Sequence, residues 1–185
     1  MIFDLPTTLE VAGRTYDIRT DFRDVLTVLI AFEDPELEPQ EKVYVCLEVI
    51  YKDMESIPRE DMQEAYDAAL RFIDNGAKKN PHGSARTIAW EQDAGLMFPA
   101  VNRAAGFEIR AAEYIHWWTF MGYFMEIKDS LYAHVLSIRH KKAKGKKLEK
   151  WEKDFWAQNR DICVIRAKAT EEEEAEKKRL EALLG

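Results

Sequence analysis

Apolar residues recur every three or four positions along most of this chain, a spacing typical of helices that bury one face. The pattern predicts a helix after an N-cap at Asp21, a second over residues 40–53, and a third that begins near Pro58. The start of the chain differs, because two short β-favouring runs flank Gly13 and predict a tight hairpin. We therefore expect a mainly α fold: a helical domain with a small N-terminal β-hairpin and a charged C-terminal helix.

One stretch lacks any periodicity and divides the pattern. Residues 77–87 contain Asn-Pro, Gly and Ser, which predicts a linker. It separates residues 1–76, the hairpin plus helices, from a C-terminal helical part over residues 88–161. Residues 162–185 follow as a charged helical tail, with glutamates before its basic residues, the order that the helix dipole favours. Pro99 should kink or split the first helix of the C-terminal part.

The segment IHWWTFMGYF, residues 115–124, is the most aromatic part of the chain. On a helix of 3.6 residues per turn, one broad face carries Tyr114, Trp117, Trp118, Met121, Phe124 and Met125, with Phe120 at its edge. This face favours core packing over an aromatic ligand cage, but how much of it a partner contacts stays open. His116 falls off the face, which predicts a surface or hydrogen-bonding position rather than a buried one.

Glu113 and His116 are a candidate half of a metal site, because they have the i, i+3 spacing that di-iron helical bundles use. Such a site needs the motif twice, and the other three histidines have no acid three residues before them. The sequence also lacks the glycine-rich, hydrolase and zinc motifs that mark common catalytic sites. We therefore expect no metal, no cofactor and no enzymatic activity.

A basic run, residues 139–150, stands out in a chain whose net charge is −7. Its candidate patch residues are Arg139, Lys141, Lys142, Lys144, Lys146 and Lys147. The run is either an electrostatic patch for an acidic partner or nucleic acid, or a solvated corner between two helices. Pairing with the glutamates of the tail, residues 170–185, would weaken any patch. The acidic balance of the whole chain makes nucleic acid the less favoured partner.

The cysteines and the hydropathy pattern indicate a soluble cytoplasmic protein. Cys46 and Cys163 lie far apart in apolar helical patterns, which predicts buried free thiols in a reducing compartment. The first residues show no export signal. The longest uncharged aromatic run, residues 114–125, is too short to cross a membrane, which takes about 20 apolar residues.

Several blocks of the sequence resemble small proteins of long-tailed bacteriophages. These blocks are LEVAGRTYDIRTDFRDVLTVL, WEQDAGLMFPAVNRAAGFEI, the His-Trp-Trp-x-Phe of residues 116–120, and SIRHKKAKGKKLEKWEKDFWAQNRD. The family is the one named for gene product fifteen, among the tail assembly chaperones encoded just before the tape-measure gene. The resemblance covers residues 8–50 and 88–161.

The resemblance implies a role in building the phage tail. The protein would bind the tape-measure protein and keep it soluble until tail-tube subunits polymerise around it, in the cytoplasm of the infected host and not in the mature virion. The upstream tail chaperone and the tail-tube protein would be further partners, in a homo- or hetero-oligomer. The alternatives are a structural component of the virion tail and a nucleic-acid-binding phage protein that uses residues 139–150.

Overall fold

The computed structural model describes residues 4–75 and 86–166, together with Arg179 and Ala182. Within these residues a two-stranded hairpin precedes a helical assembly, so the mainly α prediction is confirmed. The strands and helices are β1 Thr8–Val11, β2 Arg14–Asp17, α1 Phe22–Glu33, α2 Pro39–Ile50, α3 Met62–Ile73, α4 Trp90–Ala105, α5 Trp117–Met125, α6 Leu131–Ala143, α7 Lys150–Gln158 and α8 Arg160–Cys163. Short 3₁₀ turns lie at Met54–Ser56, Arg59–Asp61 and Ile109–Ala111.

The hairpin forms where the sequence predicts it. Strands β1 and β2 pair antiparallel, and the two turn residues, Ala12 and Gly13, both have positive φ, at 48° and 75°. This backbone matches the right-handed twist of the strands, and glycine adopts it without strain. The Ala12 N–H donates to Glu64 Oε1 at 2.9 Å, which ties the turn to α3.

Helix α1 begins at the predicted cap and is anchored to α5 there. The Asp21 carboxylate accepts from the Arg23 N–H at 2.9 Å and also from the Ile115 N–H at 3.1 Å. The backbones of Asp21 and His116 form an antiparallel bridge, so the two helices start side by side. Asp21, a cap predicted from the local sequence, therefore also makes a long-range contact.

One hydrophobic core takes in residues from both sides of the predicted linker. Its members include Val25 of α1, Ile50 of α2, Phe72 of α3, Val101 of α4 and Phe120 of α5. Helix α1 packs against α2, α4 and α5, which places it at the centre of the fold. The boundaries at 76 and 87 stay a prediction, because most of the linker and of the tail lies outside the described residues.

Helix α4 runs continuously through Pro99, so the predicted split does not occur. Proline removes one N–H, which leaves the carbonyl of Gly95 without its helical partner. Met97 and Val101 on the same helix are buried, and packing of this kind outweighs the loss of one backbone hydrogen bond. The helix ends at Gly106, whose φ of +81° gives a left-handed cap.

Candidate partner-binding surface

The aromatic helix α5 begins at Trp117, three residues after Tyr114, the first residue of the predicted face. His116 is its N-cap: its Nδ1 accepts from the Trp118 N–H at 3.0 Å. Its Nε2 lies 2.9 Å from the carbonyl oxygen of Pro6, so the Nε2–H tautomer donates there. His116 is buried, with 3% of its surface exposed, and the surface position that the sequence suggests is wrong. The helical wheel misplaced it because the residue lies before the helix, where the wheel does not apply.

Two members of the aromatic face lie in the core. Trp117 and Phe120 are almost fully buried and stacked, with ring centroids 5.4 Å apart, and Phe22 stacks on Phe120 at 5.0 Å. The Trp117 indole N–H donates to the carbonyl of Ile73 at 2.8 Å, so its polar atom is also satisfied. The structure thus places Phe120, which the wheel puts at the edge of the face, at its most buried point.

The other members of the face lie nearer the surface. Trp118 and Met121 are half-buried, and the indole N–H of Trp118 donates to the carbonyl of Phe72 at 2.9 Å. Tyr114 lies outside the helix and is 54% exposed, with its hydroxyl 2.6 Å from Thr20 Oγ1. Met125, at the C-terminal end of α5, is 62% exposed. Within α5 the face is therefore most buried at Trp117 and Phe120 and opens toward Met125.

The open end forms one wall of a surface groove, which we call the α5–α6 groove. It has a volume of about 400 Å³ and is lined by Thr87, Ile88, Phe124, Met125, Ile127, Ala133, Leu136, Ser137 and His140. The ring of Phe124, which lines the groove, packs against the ring of Trp90, with their centroids 5.5 Å apart. The mixture of an aromatic ring, a methionine and branched aliphatic side chains suits an apolar helix that docks in it.

Sequence reasoning missed the contribution of α6 to this groove. Ala133, Leu136, Ser137 and His140 have the i, i+3, i+4, i+7 spacing of one helical stripe, which is a visible signal. The stripe mixes apolar and polar side chains, so it does not stand out as a buried face. Only the packing of α5 and α6 around residues 87–88 shows that it lines a groove.

Arg139 does not belong to the predicted basic patch, which is a correction. It is 4% exposed, and its guanidinium forms a two-pronged ion pair with Asp93 at 2.7 and 2.9 Å. It also donates to the carbonyls of Thr87, Ile162 and Cys163 at 3.2, 2.7 and 3.0 Å. A planar group with five donors can join these four residues, whereas a surface lysine could not.

Two lysines of the patch are also engaged. Lys141 lies 2.6 Å from Glu152, whose side chain is 1% exposed, and this hydrogen bond raises the pKa of the amine and lowers that of the carboxyl. Glu152 further accepts from the Glu149 N–H at 2.8 Å, as part of the cap of α7. Lys142 lies over the Trp156 ring, 4.3 Å from its centroid.

The remaining three lysines form a smaller surface, which we call the lysine turn: Lys144, Lys146 and Lys147. All three are exposed, and none forms an ion pair with another described residue. The turn follows α6 directly and is shaped by Gly145, whose φ is +63°. It extends the C-terminal end of the α6 stripe, so a basic surface continues from the apolar groove.

Chemistry outside this surface is limited in the part of the chain that is described. No three or more His, Cys, Asp or Glu side chains there cluster in a way that could hold a metal ion. Cys46 and Cys163 are buried free thiols, as predicted, and burial raises both pKa values, that of Cys46 to about 12. None of the described helices combines the length and the apolar character that crossing a bilayer requires.

The fold and this surface define a mainly helical protein with an apolar groove bordered by lysines. A family model described as bacteriophage Gp15 protein matches residues 1–165. The chain belongs to this bacteriophage family, and the resemblance seen in the sequence is confirmed. No match was found among curated proteins or among solved structures.

Proposed function

We propose that this protein is a non-enzymatic tail assembly chaperone that binds the tape-measure protein and keeps it soluble for tail-tube polymerisation. The observation that carries the proposal is the α5–α6 groove, an apolar surface that ends in exposed Met125. A tape-measure chain is long and helical, and its apolar stripes aggregate unless they are covered. A groove of this size accepts one such stripe through anchors at helical spacing.

The charge of the protein supports the same role. A net charge of −7 keeps a protein that exposes apolar side chains dispersed, because like-charged molecules repel one another. Membership of a bacteriophage family places the chain among phage proteins. On this proposal it acts in the cytoplasm of the infected host, leaves before the virion is complete, and also contacts the upstream tail chaperone and the tail-tube protein.

The test is co-expression with the very long, helix-rich reading frame expected immediately downstream. We expect that neighbour to become soluble and to co-purify with this chain, and Met125→Glu to weaken the complex. Burying a methionine side chain contributes about 1.5–3 kcal/mol, so the dissociation constant should rise by roughly 10- to 100-fold. Tyr44→Glu is the matched control, because Tyr44 is similarly exposed at 58% but lies on α2, away from the groove.

Four results would contradict the proposal. The neighbour could stay insoluble with the wild-type chain, or Met125→Glu and Tyr44→Glu could have equal effects. Recovery of this chain from purified particles would instead favour a structural tail component. Salt-dependent binding of RNA or DNA that is lost in Lys144→Glu would favour the nucleic-acid alternative.

A further inference from the structure

The chain leaves the described fold against the first turn of α4. The Gln92 side chain accepts from the Arg166 N–H at 3.0 Å and donates to the Val164 carbonyl at 2.9 Å, which holds this exit against α4. Arg139 bonds the carbonyls of both Cys163 and Thr87, and Thr87 lines the groove. Residues 167–185 therefore start from a segment that Arg139 links to the edge of the groove.

The sequence of that segment has two blocks with different chemistry. Residues 171–174 are four consecutive glutamates, and Leu180, Leu183 and Leu184 follow at the i, i+3, i+4 spacing of a helical stripe. Arg179 and Ala182 are helical and exposed. At 100° per residue both positions fall off the leucine stripe, so their exposure is compatible with leucines that face a partner surface.

The α5–α6 groove and the lysine turn present the complementary blocks at a matching separation. Along α6, eight residues separate Leu136 of the groove from Lys144 of the turn, about 12 Å at the helical rise. Ten residues separate Glu173 from Leu183 in the tail, about 15 Å in a helix.

We propose that residues 170–185 dock in cis on this surface, with the leucines in the α5–α6 groove and the glutamates on the lysine turn. A segment tethered to the same chain has an effective concentration in the millimolar range, so a weak contact suffices to fill the groove. The tail then competes with any helix that enters from outside. The docking itself does not depend on what that outside helix is.

The experiment uses the full chain with one added cysteine in the groove, Ser137→Cys, and one in the tail. Leu183→Cys places the second thiol on the leucine stripe, and Ala182→Cys is the matched control on the opposite side of the same turn. Ser137 is exposed, whereas the two native cysteines are buried and do not compete for a short bismaleimide cross-linker. Thermal unfolding of each variant checks that the fold is intact.

We expect an intramolecular cross-link that forms at least about tenfold faster with Leu183→Cys than with Ala182→Cys. The reason is that a docked tail holds the thiol at position 183 near the groove and turns the thiol at position 182 away from it. Charge reversal by Lys144→Glu, Lys146→Glu and Lys147→Glu should slow it. Equal rates for the two tail positions, or no effect of the charge reversal, would overturn the docking. Cross-linked dimers would show that the tail of a second copy fills the groove, which also overturns docking in cis. No tape-measure protein is present, so this result and the co-expression result are independent.

Discussion

Arg139→Ala tests whether the buried ion pair with Asp93 holds the C-terminal elements together. The substitution removes five hydrogen bonds, two to the carboxylate and three to the carbonyls of Thr87, Ile162 and Cys163. It leaves Asp93 buried at 1% exposure without its cation. Burial of an uncompensated charge is among the most destabilising changes that a single substitution can make.

The size of the effect depends on the hydrogen bonds that the Asp93 carboxylate retains in the variant. Its carboxylate still accepts from the Ala89 N–H at 2.9 Å and from the Tyr132 hydroxyl at 3.4 Å. We therefore expect a loss near the lower end of the usual range, about 3 kcal/mol in the free energy of unfolding. For a chain of this length that corresponds to a fall in Tm of roughly 6–12 °C.

Chemical and thermal unfolding measure this loss, and thiol labelling locates it. Because Arg139 bonds the carbonyl of Cys163, the native thiol there should become reactive in Arg139→Ala, whereas Cys46 in the main core should stay protected. The double variant Arg139→Met with Asp93→Leu should recover most of the stability, since no buried charge remains unpaired. Arg110→Ala is the control: it breaks an exposed ion pair with a neighbouring glutamate and should leave Tm unchanged within error.

A fall in stability of less than about 1 kcal/mol in Arg139→Ala would refute the assignment, because that is the effect of a surface pair. Equal reactivity of Cys46 and Cys163 would refute the second part of the reasoning. It would mean that the whole fold opens together and that Arg139 does not hold α8 in particular.

Two further substitutions test local features of the same fold. His116→Ala should lower the free energy of unfolding by about 1 kcal/mol or more, because α5 loses its cap, whereas His116→Asn should restore part of it in the same urea titration. Glu152→Gln should reduce the loss of the free energy of unfolding as the pH is lowered in the acid range. The pKa of Glu152 is lowered in the fold, mainly by the hydrogen bond from Lys141, so its contribution is present above its usual value of 4.5 and is lost as the pH falls through the folded pKa. An unchanged acid limb in Glu152→Gln would contradict this sign.

The sequence predicted correctly those caps and turns that are determined by a few neighbouring residues. Asp21 caps α1 through the Arg23 N–H, and Gly13 adopts positive φ in the turn where it was expected. Each depends on backbone geometry over one turn of chain, and such signals can be read without knowing the fold. At Pro99 a local rule competed with packing, and the helix was not split.

The candidate site was less predictable because its parts come from distant segments. Trp117 and Phe124 are seven residues apart on one helix, yet one lies in the core and the other in the groove, a difference set by α1 and α4 rather than by the aromatic sequence. The basic run looked uniform, but Arg139 pairs with a residue 46 positions earlier, while Lys144 remains exposed.

The sequence by itself determined the mainly helical class, the hairpin, the turns and the bacteriophage family, since these depend on periodicity, on local backbone preferences and on recognisable blocks. Only the tertiary structure decided that His116 is a buried cap, that Arg139 is an internal tie, and that α5 and α6 enclose a groove. The physical reason is that burial and ion pairing depend on which surfaces the fold brings together. Residues of the same type in one run of sequence can therefore have opposite environments.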